Sequence, residues 1–221
     1  NYVEQLTFDV GKGNPGAVAL QFYSNNSGAV RDCRFIAADG SGHTGLDLGH
    51  RDMNGPLLVR HCEVRGFAYG ISCAHAVNGQ VFEHIRLSGQ RKVALRNEGQ
   101  HLSIRGLTSE NAVPTVMSYG ALAIDGATLT GTAGAENSPA IVNYNGGRIY
   151  LRDVKTRGYK RALADMETPD AAAAWRIEGE DKPGTRGPDI ADYSSQKATS
   201  PFPSPALSLR LAVKETPDLP W

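Results

Sequence analysis

Apolar residues along the first two thirds of the chain fall in short, echoing patterns. The segment VRDCRF at 30–35 returns as VRHCEV at 59–64. The shared template is apolar-x-x-apolar-x-mostly apolar. It also fits VEQLTF (3–8), FEHIRL (82–87), IRGLTS (104–109), IDGATL (124–129) and LRDVKT (151–156). The central apolar residues are Leu6, Cys33, Cys62, Ile85, Leu107, Ala127 and Val154, spaced by 27, 29, 23, 22, 20 and 27 residues. A second apolar segment follows in each period: AVALQF (17–22), TGLDLG (44–49), YGISCA (69–74), KVALRN (92–97) and PAIVNY (139–144). The stretch from Val116 to Ser118 fills the missing place loosely.

Such short segments, bounded by Gly, Asn, Ser and Asp, predict strands and turns. No stretch before residue 160 sustains the i, i+3, i+4, i+7 spacing of an amphipathic helix. A repeat of this length predicts a solenoid, in which each coil buries its apolar face against its neighbours. Propeller blades need longer periods and four strands each. The dense Leu and Asn code of leucine-rich repeats is absent. The pattern predicts an all-β chain, a parallel β-helix of about seven coils over residues 1–163.

In that arrangement equivalent residues of successive coils stack about 4.8 Å apart. Cys33 sits over Cys62 in the interior as a packing stack, with a disulfide as the alternative. A column beside the interior reads Glu4, Arg31, Arg60, Glu83, Arg105, Asp125, Arg152, with alternating signs from Arg60 onward. Opposite charges on adjacent strands attract by about 0.2–1 kcal/mol per pair. The expectation is a surface ion-pair ladder that fixes coil register, or else a charged stripe for an acidic sugar chain.

The pattern breaks at Ala164, so 164–221 is expected to be an irregular tail or strap packed on the solenoid. METPDAAAAWRIEG (166–179) suits a short helix or a last irregular coil. Residues 180–205, rich in Pro, Gly, Ser and charge, read as an extended loop. ALSLRLAVKETPDLPW (206–221) alternates Leu207, Leu209, Leu211 and Val213 like a half-buried strand. No cap precedes Tyr2, so the chain is expected to begin within the solenoid, with self-association through the uncapped N-terminal coil.

Composition narrows the function classes. The 221 residues carry 23 basic and 23 acidic side chains, which gives no basic face for nucleic acid. No run of 18 apolar residues offers a membrane span. Three cysteines cannot all pair, and no C-x-x-C spacing suggests a thiolate metal site. No Asp-x-Asp-x-Asp loop marks calcium, so neither a metal nor a cofactor is implied. The start at Asn1 looks processed, which would hide any export signal.

The coils together with SPFPSPALSLRLAVKETPDLPW (200–221) resemble the C-terminal portion of proteins in the pectate-lyase-like superfamily, near family-55-like glycoside hydrolases and pectate-lyase-superfamily proteins. The resemblance implies a single-stranded right-handed parallel β-helix, extracellular or periplasmic, that acts on polysaccharides. The Gly-Asp-Gly-x-x-Asp-Asp-Thr-type opening segment of such proteins is absent here, and no catalytic motif matches residue by residue.

Hydrolysis of a polysaccharide needs two carboxyl groups, roughly 5–5.5 Å apart for retention or 6.5–9.5 Å for inversion. β-Elimination needs a base and a group that neutralises the uronate carboxylate. The richest polar cluster follows the second segment of each coil. Aligning Leu46, Ile71 and Leu95 brings His50 and His75 to equivalent places, with Asp47, Ser72 and Arg96 one step past the aligned residue. As a lyase site, His75 or His50 is the base and Arg96 meets the carboxylate. As a hydrolase site, Asp47, Asp52 and Glu98 supply acid and base, with Arg51 close by. Tyr119, Tyr144 and Tyr150 are candidates for sugar stacking. The competing reading gives these polar residues the job of satisfying turn backbone.

A second cluster places His61 and His84 on the first strand face beside Asp32. That corner position is also held by Gly106 and Gly126, a sign of a strained bend. The functional expectation is a polysaccharide-active lyase or glycoside hydrolase. The alternative is an inert structural or carbohydrate-binding solenoid, or a fragment lacking its active-site half.

Overall fold

A computed structural model describes residues 1–49, 54–75, 78–166 and 187–196. It is an all-β solenoid of about seven turns. Each turn contributes to two parallel sheets. The first sheet stacks Tyr2–Glu4, Gly28–Arg31, Leu57–Arg60, Gly79–Ser88, His101–Asn111, Ala121–Gly131 and Arg148–Arg157. In the first three turns a bend sets off the short strands Thr7–Asp9, Arg34–Ile36 and Glu63–Arg65, which stack in that order and join the same sheet where Glu63–Arg65 pairs with Gly79–Ser88. The second sheet stacks Val18–Gln21, Thr44–Leu48, Tyr69–Ala74, Val93–Glu98, Val116–Ser118, Pro139–Tyr144 and Arg161–Met166. Every second-sheet strand expected from the repeat is present, including the loosely fitting Val116–Ser118.

Register follows the template. Val30, Val59, Phe82, Ile104, Ile124 and Leu151 stack in the interior of the first sheet, all at most 2% exposed. Leu46, Ile71, Leu95, Val116, Ile141 and Leu163 answer them from the second sheet, each fully buried. Each strand thus gives one row of side chains to a continuous core, which is what a coil too thin to fold alone requires. Cys33 and Cys62 lie in this interior as free thiols. A hydrogen bond between them lowers the Cys33 thiol to about 7 and holds Cys62 well above the usual thiol range.

The corners are closed by amides. The Asn97 side chain accepts from the Gln100 N–H (2.8 Å) and donates to the Gln100 carbonyl and Ser118 Oγ (both 3.0 Å). Buried Gln90 donates through Nε2 to the carbonyls of Val64, Gly66 and Ser88 at 2.8–3.0 Å. A buried backbone group without a partner costs about 1–3 kcal/mol, so these amides let the chain turn inside the protein.

Two tail expectations change. The last second-sheet strand runs on to Met166, past the boundary at 163. The segment read as an unstructured loop holds the strand Asp189–Ser194, paired antiparallel with Arg148–Arg157 at the end of the first sheet. The expected helix at 166–179 and strap at 206–221 lie outside the described residues, apart from the backbone of Met166.

The charged column is in register throughout: Glu4, Arg31, Arg60, Glu83, Arg105, Asp125 and Arg152 are successive partners, and Asp192 extends it. Arg31 pairs with Glu4, Arg60 with Glu83 (3.5 Å), and Arg152 forms a two-pronged bond to Asp125 (2.8 Å each). It is not a surface ladder along its whole length. Arg60 and Glu83 are only 4% and 5% exposed. Arg31 and Arg105 flank the pair in register on the neighbouring coils.

Candidate functional site

The residue after each charged position takes the left-handed conformation. Gln5, Asp32, His61, His84, Gly106, Gly126 and Asp153 have φ of 55°, 53°, 50°, 53°, 68°, 75° and 51°. Gly, Asp and His are residue types that enter this region most readily. The third letter of each repeat is therefore chosen by backbone geometry, and the repeated bend cuts a trough along the solenoid axis.

Two cavities make up this trough. One, of about 490 Å³, is walled by Asp32, Arg34, His61, Glu63, His84 and Arg86, with Cys62 behind. The next, of about 390 Å³, shares His84 and continues past Gly106, Thr108, Gly126 and Thr128 to Asp153 and Lys155. A side chain at Gly126 would meet nothing within 4 Å, so its absence leaves open space. A Cβ at Gly106 would lie 2.8 Å from His84 Nδ1, so this glycine makes room for the imidazole.

Within the trough, His61 Nδ1 is 3.3 Å from Asp32 Oδ1, and the His61 and His84 rings lie 5.1 Å apart. Arg34 faces Glu63 at 3.7 Å. Arg86 and Lys155 are exposed. A carboxylate beside Nδ1 favours the tautomer with its proton there, which leaves Nε2 as the basic nitrogen. An oriented base, a second imidazole and flanking cations thus share one axial channel. The sequence already joined Asp32, His61 and His84. It did not single out Arg34, Glu63, Arg86, Asp153 and Lys155, although their places in the template repeat theirs.

The cluster expected on the second sheet has another character. Leu46, Ile71 and Leu95 are in register, and so are Asp47, Ser72 and Arg96. Asp47 accepts from Gln21 Nε2 and from the Gly49 N–H, both at 3.0 Å. Arg96 lies over the Tyr69 ring (4.3 Å), donates to Ser72 Oγ (3.1 Å) and faces Glu98 (3.5 Å). Tyr119 and Tyr144 meet edge to face at 5.4 Å. Burial, with the nearby Glu98 carboxylate, raises the Tyr144 phenol to about 12. His75, exposed with φ 68°, gives its carbonyl to Gln100 Nε2 (2.9 Å). The structure therefore brings Arg96, Glu98, Tyr119 and Tyr144 together and ties Asp47 to Gln21. His50, Arg51 and Asp52 lie outside the described residues. Among the described residues no group of three or more His, Cys, Asp or Glu side chains is placed to hold a metal ion.

Comparison with protein-family models, curated proteins and solved structures finds no match for the chain.

Proposed function

We propose that this chain is a polysaccharide-active β-solenoid of the pectate-lyase-like kind, with the sugar chain lying along the bend trough. The observation that carries the reading is the His61–Asp32 pair beside His84, set in a channel that runs across successive coils. An extended glycan has a sugar repeat close to the spacing of the coils, so equivalent side chains meet successive sugars.

Of the two cleavage chemistries, β-elimination fits the trough better. Asp32 faces His61 and Glu63 faces Arg34, so each carboxylate is turned to a basic side chain, whereas a glycosidase needs a pair of carboxyl groups aimed at the sugar. Arg86 meets the uronate carboxylate and increases the acidity of the neighbouring C5–H. His61 Nε2 takes that proton, the C4–O bond breaks, a C4=C5 double bond forms, and the departing oxygen takes up a proton. Oriented general bases of this kind contribute about 10²–10⁴-fold to rate.

The test is a panel of neutral and uronic polysaccharides, followed by absorbance of the unsaturated uronate and by reducing ends. His61→Ala/His84→Ala is compared with Asp47→Ala/His75→Ala. Absorbance lost only in the first variant supports the reading. Reducing ends without absorbance replace it with hydrolysis. Silence on every substrate from folded protein leaves the inert solenoid.

A further inference from the structure

A third depression lies on the outer face of the first sheet, across the charged column from the bend trough. Its origin is side-chain size. In the sixth coil the two outward positions are both alanine, Ala121 and Ala123, at burial intermediate between core and surface. Their register partners on the seventh coil are Arg148 and Tyr150, and on the fifth His101 and Ser103. Long side chains on one coil beside two methyl groups on the next leave a hollow of about 370 Å³, closed at its end by Ser194 and Gln196.

Tyr150 forms the wall of this hollow. It is 38% exposed, one of the few large apolar side chains left open to solvent. Burial and the nearby Asp192 carboxylate of the antiparallel strand raise the Tyr150 phenol above its ordinary range. Asp192 in turn lies opposite Arg152. An exposed aromatic face, an alanine floor and a rim of donors from Arg148, His101 and Ser103 match one ligand shape. The ligand has an apolar face for the ring and hydroxyls at its edge. Such recognition is the common pattern of small-molecule sites, an apolar surface with a few placed polar groups.

We infer that the Tyr150 hollow is a sugar-binding subsite, in which one pyranose ring of a glycan stacks on Tyr150 over Ala121 and Ala123. It stands apart from the catalytic reading of the bend trough, since the charged column separates the two and neither His61 nor His84 touches it.

The experiment is an NMR titration of the full 221-residue chain with cellobiose and, separately, with digalacturonate. The readouts are the Tyr150 ring and His101 imidazole signals. At least one disaccharide is expected to shift both. Tyr150→Ala is expected to weaken that binding about five- to tenfold, and Tyr150→Phe, which keeps the ring, to retain most of it. Ala123→Leu fills the hollow from an outward position without opening the core, and is expected to abolish binding. The His61→Ala/His84→Ala variant is titrated in parallel. Binding there without cleavage by the wild type rejects the catalytic reading and keeps the subsite. Cleavage by the wild type with binding unchanged in Tyr150→Ala and Ala123→Leu rejects the subsite alone. No shift with either disaccharide overturns the inference.

Discussion

The imidazole of His84 leans over Gly106 on the next coil, where a methyl group would come within 2.8 Å of Nδ1. The two residues hold the same place in successive repeats, and the smaller makes room for the larger. Replacing Gly106 with Ala therefore strains a backbone held at φ 68° and pushes the ring aside. Gly126→Ala carries only the backbone cost, since nothing lies within 4 Å of its Cβ position. That cost is about 1–2 kcal/mol in a left-handed conformation. Urea unfolding is expected to show Gly106→Ala as the more destabilised of the two, and only Gly106→Ala should move the His84 NMR signal.

Arg60 and Glu83 form a buried ion pair on the trough's flank. Arg60→Met alone removes one of the two arginines in register with Glu83 and leaves Arg105, and is expected to destabilise by less than the roughly 3–5 kcal/mol of a fully uncompensated buried charge. Arg60→Met with Glu83→Leu replaces the pair with apolar packing, and is expected to be neutral or stabilising. Chemical denaturation of both variants measures the difference.

Tyr144 gives the fold an alkaline limit. Burial raises its folded pKa to about 12, above the ordinary tyrosine value of about 10. Between those values the folded state holds the proton that the unfolded state has lost. Its contribution to stability is full below about pH 10 and is lost as pH rises through about 12. Stability across this window should fall less steeply in Tyr144→Phe than in the wild type.

Among the described residues the first coil pairs on one side only, and Tyr2, Leu6 and Val18 are 63%, 51% and 39% exposed there. Open strand edges with apolar side chains template further pairing. The isolated chain is expected to associate with rising concentration in sedimentation experiments. Leu6→Lys/Val18→Lys should shift it toward monomer.

The solenoid was legible because one coil imposes the same inward, outward and bend positions on its neighbours. Leu46, Ile71 and Leu95 could be aligned by eye, and so could the charged column from Glu4 to Arg152. The burial of Arg60 and Glu83 was not legible, because charged residues in an outward column read as solvent-facing whatever their neighbours cover. The strand Asp189–Ser194 was hidden by Pro- and Gly-rich flanks, which suggested a loop. Asp47, Ser72 and Arg96 were aligned as the register has them, yet Arg96 lies against Tyr69, a diagonal neighbour that column reading does not reach. The Asp32, His61 and His84 corner was visible in sequence. What the sequence withheld was the open trough beside it, which depends on Gly106 and Gly126 lying on the adjacent coils.

The most direct test of the trough as the glycan site is the histidine NMR spectrum under titration with a long oligogalacturonate. His61 and His84 are expected to shift together while His43 and His75 stay in place. A shift at His75 with His61 and His84 unmoved would contradict the account and put the sugar on the other face of the solenoid.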